Sequence, residues 1–322
     1  MIKMTKNVLE VRNLKMYYFT NRGMVRAVDD ISFDLKKGEV LGLAGESGCG
    51  KSSLGFTLIG MPTPPGKIVD GSIKIDGREI VGLPENVLRK EIRWQKISMI
   101  FQGAMNALNP VYTVGYQMIE PLMYQKGMNK EEAINKAQKY LELVGLDPEI
   151  VYRYPHELSG GMKQRVVIAT ALLLEPEVVI ADEPTTALDV VVQAQIVNMM
   201  KKLKKELGLS MIFITHDLSI LAEISDKIAI MYAGKIVEIG DSEKVYYEPA
   251  HPYTQKLLAA IPRLHEDLKK LEFIPGQPPN LINPPNGCRF HPRCPYIMQV
   301  CKEQEPELKE VDKDHYVACW LL

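Results

Sequence analysis

The sequence contains no long hydrophobic run and no apolar leader. Nowhere do about 18 uncharged apolar residues follow one another, as a membrane-spanning helix requires. The N-terminal stretch MIKMTKNVLEVRNL also lacks the continuous apolar segment of an export signal. These absences predict a cytosolic protein without a membrane span of its own.

The chain also has little net charge and no internal repeat. A formal net charge of −1 over 322 residues provides no global positive field, which argues against nucleic acid as a partner. The apolar content of 46% and the charged content of 25% are typical of a soluble globular protein. The length suffices for one large domain or two ordinary ones.

Short apolar runs alternate with helical patterns along most of the chain. This alternation is typical of an α/β fold with a mostly parallel, buried sheet. The predicted strand regions are 40–45, 97–102, 177–184, 209–216 and 226–241.

Helical patterns dominate between about residues 103 and 176 and predict a helical subdomain inserted between two strands. The stretch 130–146 has apolar residues at helical spacing and ends beside Gly145, and another helix is predicted between Ser159 and Pro176. We therefore expect one domain over 1–245 that contains this insertion. Residues 246–322 are rich in proline and predict an irregular extension with too small a core to be stable alone.

The stretch GESGCGKSS, which begins at Gly45, matches the phosphate-loop pattern G-x-x-x-x-G-K-[ST] after an apolar strand. Its glycines allow backbone N–H groups to point into one concavity, Lys51 supplies a cation for the β- and γ-phosphates, and Ser52 supplies a hydroxyl for Mg²⁺. The residues predicted to bind nucleotide here are Gly45, Ser47, Gly48, Gly50, Lys51, Ser52 and Ser53.

Two adjacent carboxylates end the apolar run VVIADE. Asp182 is predicted to hold Mg²⁺, and Glu183 is placed to polarise an attacking water molecule. A second anion site is predicted where Ser159, Gly160 and Gly161 begin a helix, since exposed N–H groups at such a terminus attract negative charge.

Together these motifs resemble the ATP-binding cassette (ABC) family over about residues 8–245. LSGGMKQ resembles the family's signature motif, Gln102 its Q-loop residue, Asp189 the end of its D-loop and His216 its switch histidine. Tyr18 resembles the aromatic residue that stacks on adenine, with Tyr17 as the alternative. The resemblance implies a phosphate-loop ATPase fold with an added antiparallel β subdomain, and roles for Gln102 in catalysis and in binding Mg²⁺.

The resemblance also implies a mechanism that depends on a second subunit. One compact domain cannot place both anion sites against the same ATP, so two cassettes are expected to pair head to tail with ATP between them. Glu183 would then act as general base and His216 would contact the γ-phosphate. The implied partners are a second, related or identical ATPase, two transmembrane permease subunits and an extracytoplasmic substrate-binding protein, with this chain at the cytoplasmic face of the membrane.

Finer similarity points to the ATPase subunits of dipeptide and oligopeptide importers. It rests on MIFQGAMNALNP, ADEPTTALDVVVQAQI, HPYTQKLL and the tail PGQPPNLINPPNGCRFHPRCP. Gly103 departs from the pattern, since an acidic residue usually follows the Q-loop glutamine in this group. Importers of nickel or other small solutes share much of this sequence and are an alternative. A cassette that acts on nucleic acid or the ribosome is a further alternative.

Four of the five cysteines lie in the tail. Cys288, Cys294, Cys301 and Cys319 are predicted to hold a [4Fe–4S] cluster, because structural zinc sites usually contain tight C-x₂₋₄-C pairs that are absent here. Zinc, or free or disulfide-bonded cysteines, are the alternatives. Cys49 lies within the phosphate loop and is excluded from this set.

Overall fold

A computed structural model describes residues 6–103, 106–260 and 274–322. Residues 1–5 of the N-terminal stretch and positions 104–105 of the MIFQGAMNALNP motif lie outside this described part. Within it, the strands are β1 (Asn7–Thr20), β2 (Gly23–Lys36), β3 (Val40–Ala44), β4 (Gly66–Ile75), β5 (Arg78–Glu79), β6 (Ile97–Ile100), β7 (Val178–Asp182), β8 (Ser210–Ile214), β9 (Lys227–Tyr232), β10 (Lys235–Asp241), β11 (Lys309–Asp312) and β12 (His315–Val317).

Ten α-helices accompany these strands in the described part of the chain, together with short π- and 3-10-helical turns. They are α1 (Lys51–Leu58), α2 (Glu85–Val87), α3 (Val114–Lys126), α4 (Lys130–Leu143), α5 (Gly160–Leu172), α6 (Val190–Leu207), α7 (Leu218–Ile224), α8 (Ser242–Tyr247), α9 (Pro252–Ala259) and α10 (Gln299–Glu303). None of the helices in these described ranges is both long and apolar enough to cross a membrane.

The chain divides into two compact units. The first comprises Met1–Glu10, Asp34–Glu39 and Lys74–Phe213, and the second comprises Val11–Phe33, Val40–Ile73 and Ile214–Leu322.

The first unit contains the sheet neighbours β8, β7 and β6 and the helices of the predicted insertion. Strands β6 and β7 are parallel, with Ile97 paired to Val178 and Ile100 to Ala181. Every residue of both strands is buried, which explains why each appears in the sequence as an unbroken apolar run.

Local sequence signals explain the helices of the first unit. Asn129 and Glu132 form a reciprocal capping box at the start of α4, in which each side chain accepts a hydrogen bond from the other residue's backbone N–H. Ser159 caps α5, and α6 ends at Gly208, which has a left-handed φ of 63°. The starts of α4 and α5 agree with the helices predicted over 130–146 and after Ser159, whereas α6 was not predicted.

The second unit contains two sets of neighbouring strands. One is β2-β1-β4, and the other is β11-β12-β10-β9-β3. Strands β3 and β9 are parallel, whereas β9 and β10 are antiparallel and are joined by a tight turn at Ala233 and Gly234, both with positive φ. The expected α/β phosphate-loop fold, with its parallel and antiparallel parts, is confirmed.

The described part of the tail contains long irregular stretches, but it also contributes regular structure to the second unit. Strand β12 pairs antiparallel with β10, with Glu238 opposite Val317. The rings of Tyr232, Tyr253 and Phe290 form a buried aromatic cluster with centroids 4.6 to 5.4 Å apart. The tail is therefore stabilised by edge-strand pairing and by aromatic packing.

Candidate active site

The phosphate loop of the second unit connects β3 to α1. Gly45, Gly48 and Gly50 all have positive φ values, of 150°, 79° and 109°. A Cβ atom at Gly50 would lie 2.0 Å from the carbonyl oxygen of Ala27, and one at Gly45 would lie 2.1 Å from that of Met231. Any side chain at these two positions would collide with backbone, so the loop conformation requires glycine.

Lys51 begins α1 and is only 7% exposed. Its Nζ donates to the carbonyl oxygens of Gly45 at 2.7 Å and Glu46 at 3.1 Å, which holds the ammonium group over the loop. No acidic residue lies in the first turn of α1. The lysine, the glycine-rich backbone and the positive end of the helix thus form an anion site suited to phosphate.

The two tyrosines considered for adenine stacking have different surroundings. The hydroxyl of Tyr18 lies 2.9 Å from Oγ of Ser53, so Tyr18 reaches the first turn of α1. Tyr17 instead donates to Oδ1 of Asp29 at 2.5 Å, and burial together with this bond raises its pKa. Tyr18 is therefore the tyrosine that contacts the nucleotide-binding element, and its stacking role stays a prediction.

Three further predicted residues occupy the second unit. His216 is exposed and follows Thr215, whose N–H donates to the carbonyl of Leu43 in β3 at 3.2 Å. Ser47 is also exposed, at the outer part of the loop, and Ser52 is half-buried at the start of α1. His216 is thus connected through its neighbour to the strand that leads into the phosphate loop.

In the first unit, the structure brings Gln102 and Glu183 together. Both follow paired parallel strands, β6 and β7, and Nε2 of Gln102 donates to Oε2 of Glu183 at 3.0 Å. Thr186 donates to the same oxygen at 2.8 Å. Glu183 also has a φ of 46°, an uncommon conformation for a residue with a side chain and one that is often found at functional sites.

Asp182, directly before Glu183, is buried at the end of β7 with an exposure of 1%. Magnesium prefers oxygen ligands, and each of the three side chains predicted to bind it offers an oxygen atom: Gln102 and Asp182 in this unit, and Ser52 in the second unit. The chemistry of this donor set fits Mg²⁺.

The predicted second anion site also lies in the first unit. Oγ of Ser159 accepts from the N–H of Met162 at 3.3 Å and caps α5, and both Ser159 and Gly160 are exposed. A Cβ at Gly161 would lie 2.8 Å from Cγ1 of Val192 in α6. Gly161 therefore allows α6 to approach the start of α5 closely.

Asp189 has a local structural function in the first unit. Its Oδ1 accepts from the N–H of Val192 at 2.9 Å and caps α6. The same valine contacts the position of Gly161, so the turn at Asp189 packs against the start of α5, which contains the residues that resemble the signature motif. The role of Asp189 in binding nucleotide stays a prediction.

The four tail cysteines line one small cavity together with His251 and His291, and all four are free. Burial raises the pKa of Cys288 to about 11, and it also raises the pKa values of Cys294 and Cys319. Metals bind the thiolate, so the buried surroundings favour the protonated form that is the poorer ligand.

The prediction of a [4Fe–4S] cluster at Cys288, Cys294, Cys301 and Cys319 is wrong. Within the ranges that the structure describes, no group of three or more His, Cys, Asp or Glu side chains could hold a metal ion. The zinc alternative lacks support for the same reason. The sequence showed how many cysteine ligands were available, but it did not show whether their sulfur atoms are arranged to bind a metal.

The sequence did not predict several residues that contact Glu183 or the phosphate loop. Thr186 binds Glu183, while the tail residues Tyr253 and Arg293 bind Glu46 of the phosphate loop. The cysteine of the motif HPRCP was predicted to be a metal ligand, whereas no role was predicted for its arginine. Nothing in the local sequence indicates that this arginine is buried beside a residue 247 positions away.

The phosphate loop, the carboxylates at the end of β7 and the capped start of α5 are the features of an ATP-binding cassette. The ABC transporter family profile matches residues 28–186, and a profile for the oligopeptide/dipeptide transporter C-terminal region matches 237–301. A dimeric ATP-binding cassette in a post-hydrolysis state, bound to ADP and Pi, aligns with a TM-score of 0.64 and 28% identity, covering 73% of this chain and 98% of that one.

Curated relatives are similar over nearly the whole chain. The oligopeptide transport ATP-binding protein OppD of Escherichia coli is 48% identical over 97% of this chain and 93% of its own. The dipeptide transport ATP-binding protein DppD of Bacillus subtilis is 46% identical over 98% of this chain and 95% of its own.

This chain belongs to the ABC transporter family, in the group of oligopeptide and dipeptide transport ATP-binding proteins, and is an ABC-type ATPase. The resemblance inferred from the motifs is confirmed.

Proposed function

We propose that this chain hydrolyses ATP to drive the import of di- or oligopeptides through a membrane permease. The observation that carries the choice of cargo is the match of residues 237–301 to the C-terminal region of oligopeptide and dipeptide transporters. This region lies outside the part matched by the general ABC transporter profile, so it is the part that supports peptide over other solutes.

The proposed chemistry assigns one task to each group. The phosphate loop and Lys51 would hold the β- and γ-phosphates, and Ser52, Gln102 and Asp182 would hold Mg²⁺, which would neutralise charge on those phosphates. The carboxylate of Glu183 takes the proton of the attacking water as the bond from the γ-phosphorus to the bridging oxygen breaks. His216 contacts the γ-phosphate, and Tyr18 stacks on adenine.

The proposed assembly contains two cassettes, two permease subunits and an extracytoplasmic binding protein. Ser159, Gly160 and Gly161 of one cassette would approach the ATP held by the phosphate loop of the other, with Asp189 beside them. The exposure of Ser159 and Gly160 supports this arrangement, since their surfaces are accessible to a second molecule. The domain boundaries 1–245 and 246–322 are proposed with it, and the chain would lie peripherally at the cytoplasmic face of the membrane.

Transport by the complete system tests this function. The chain would be reconstituted in liposomes with its permease subunits, its partner ATPase and the binding protein, and uptake of a radiolabelled tripeptide and of nickel would be compared. We expect ATP-dependent peptide uptake that Lys51→Ala abolishes. ATP-dependent uptake of nickel without peptide uptake would contradict the proposed cargo, and copurification with nucleic acid instead of a permease would contradict the transport role.

A further inference from the structure

A buried arginine from the cysteine-containing tail binds the phosphate loop directly. Arg293 is 7% exposed, and its Nη1 and Nη2 donate to the two carboxylate oxygens of Glu46 at 2.7 and 3.0 Å. Glu46 is the second residue of the phosphate loop and its carbonyl accepts from Lys51. Such bidentate, charge-assisted bonds fix geometry as well as providing energy.

The guanidinium of Arg293 is itself held in place from several sides. Its Nε donates to the carbonyl of Pro275 at 2.8 Å, and Nη1 also donates to the hydroxyl of Tyr232 at 3.3 Å. The group lies 5.8 Å from the centroid of the Tyr232 ring. A side chain with this many contacts has few alternative conformations, so it can hold Glu46 in one position.

The tail also holds the backbone of Glu46. The hydroxyl of Tyr253, a fully buried residue in α9, accepts from the Glu46 N–H at 2.9 Å. This contact directs the N–H of Glu46 toward the tail. Phosphate must therefore be bound by the later N–H groups of the loop, whose positions depend on how Glu46 is anchored.

A second arginine of the same segment acts on the loop through its neighbours. Arg289 forms a buried ion pair with Asp29 and donates to the carbonyl of Ala233. The next residue, Gly234, donates its N–H to the carbonyl of Cys49 in the phosphate loop at 2.8 Å. Both arginines lie between Cys288 and Cys294, so this short segment supports the loop at two points.

We infer that Arg293 is a positioning residue that holds the phosphate loop in its ATP-binding conformation and neutralises Glu46 beside the bound phosphates. The inference rests on the proposed role of this loop in ATP binding. Without Arg293, the carboxylate of Glu46 would be free to turn toward the ammonium group of Lys51. The unpaired negative charge would also repel the triphosphate. Both effects weaken the binding of ATP more than they change the chemical step.

A purely structural ion pair would have a different signature. It would stabilise the attachment of the tail, and its loss would lower the melting temperature without a specific effect on KM for ATP. The chain offers a matched control in His315, which forms a buried bond of 2.8 Å with Glu238. This pair also attaches the tail to the rest of the second unit, through β10. The hydrogen bond between His315 and Glu238 does not involve the phosphate loop.

The experiment compares Arg293→Met, Arg293→Lys and the control His315→Gln in the full-length chain. Equilibrium binding of a fluorescent ATP analogue, KM, kcat and the melting temperature would be measured for each. We expect Arg293→Met to raise Kd and KM about tenfold or more, with kcat changed by less than about threefold. Arg293→Lys, which keeps the charge but loses the bidentate geometry, should fall between this variant and the wild type.

Adding Glu46→Gln to Arg293→Met provides the decisive comparison. Since this change removes the uncompensated charge, we expect it to recover part of the lost ATP affinity, whereas a structural role predicts no recovery. His315→Gln should lower the melting temperature and leave KM unchanged. An unchanged KM in Arg293→Met, or equal increases in Arg293→Met and His315→Gln, would overturn the inference. Wild-type protein without ATP turnover would instead contradict the proposed function.

Discussion

Gln102 and Glu183 meet at the carboxyl ends of two parallel strands, where Nε2 of Gln102 donates to Oε2 of Glu183 at 3.0 Å. The register of β6 and β7 places these ends side by side. Thr186 donates to the same oxygen, so two donors fix the orientation of the carboxylate. This arrangement links Gln102, the residue that resembles the Q-loop glutamine, with the group expected to activate water.

Replacing Glu183 by glutamine should preserve ATP binding and greatly reduce turnover. The amide keeps the shape of the side chain but accepts no proton from water, and loss of a general base commonly reduces the rate by about 10²-fold or more. Steady-state phosphate release measures the turnover, and a fluorescent ATP analogue measures binding. Thr186→Val removes only one orienting bond and should have a smaller effect. Wild-type turnover in Glu183→Gln would refute the assignment.

The same variant should pair in the presence of ATP. Because Ser159 and Gly160 are exposed at the start of α5, they are available to a nucleotide held by another cassette. Light scattering after size-exclusion chromatography should show Glu183→Gln associating with ATP, and the added change Lys51→Ala should prevent it. If the molar mass stays that of a monomer at every concentration, including in mixtures with the candidate second ATPase, head-to-tail pairing is excluded.

The sequence predicted those elements whose signals are local. The strand ending in Asp182 and the helix after Ser159 could be located because buried parallel strands are continuously apolar and capped helices begin at polar residues. The phosphate loop could be located because glycine is required where a Cβ would meet backbone, as at Gly50.

Contacts between distant parts of the sequence could not be predicted in this way. The pairing of Arg293 with Glu46 joins residues 247 positions apart, and its strength depends on burial that only the folded chain creates. For the tail cysteines, in contrast, the sequence predicted a metal cluster that the described residues do not support. Their number suggested a cluster, but ligand geometry and thiol pKa depend on side-chain orientation and burial.

Gly161 should tolerate a methyl group only if Val192 is made smaller. A Cβ at position 161 would lie 2.8 Å from Cγ1 of this stiff, β-branched side chain. We expect Gly161→Ala to destabilise the protein by about 1–3 kcal/mol through this overpacking and to reduce ATPase activity. Urea unfolding and phosphate release measure the two effects. Adding Val192→Ala should restore both, and a double variant as impaired as Gly161→Ala would show that the contact is not the cause.

His251 should make the stability of the protein depend on pH. Burial lowers the pKa of this side chain to about 4, although the nearby carboxylate of Glu238 opposes the shift. Its Nδ1 accepts from the N–H of Tyr253 at 3.0 Å, so the neutral ring caps α9. The folded pKa lies below the unfolded value of 6.5, which means that the unfolded chain binds more protons between pH 4 and 6.5. The stabilisation is therefore complete above pH 6.5 and is lost as the pH falls toward 4.

The variant His251→Asn separates this titration from the other acid-sensitive groups. Asparagine retains an oxygen that can cap α9 but does not titrate in this range. The free energy of unfolding, measured in urea at pH 7 and pH 5, should fall by about 2 kcal/mol more in the wild type than in the variant. The other carboxylates and histidines, including Glu238 and His315, are present in both proteins, so their contributions largely cancel. Equal losses in the two proteins would mean that His251 titrates alike in the folded and unfolded chains.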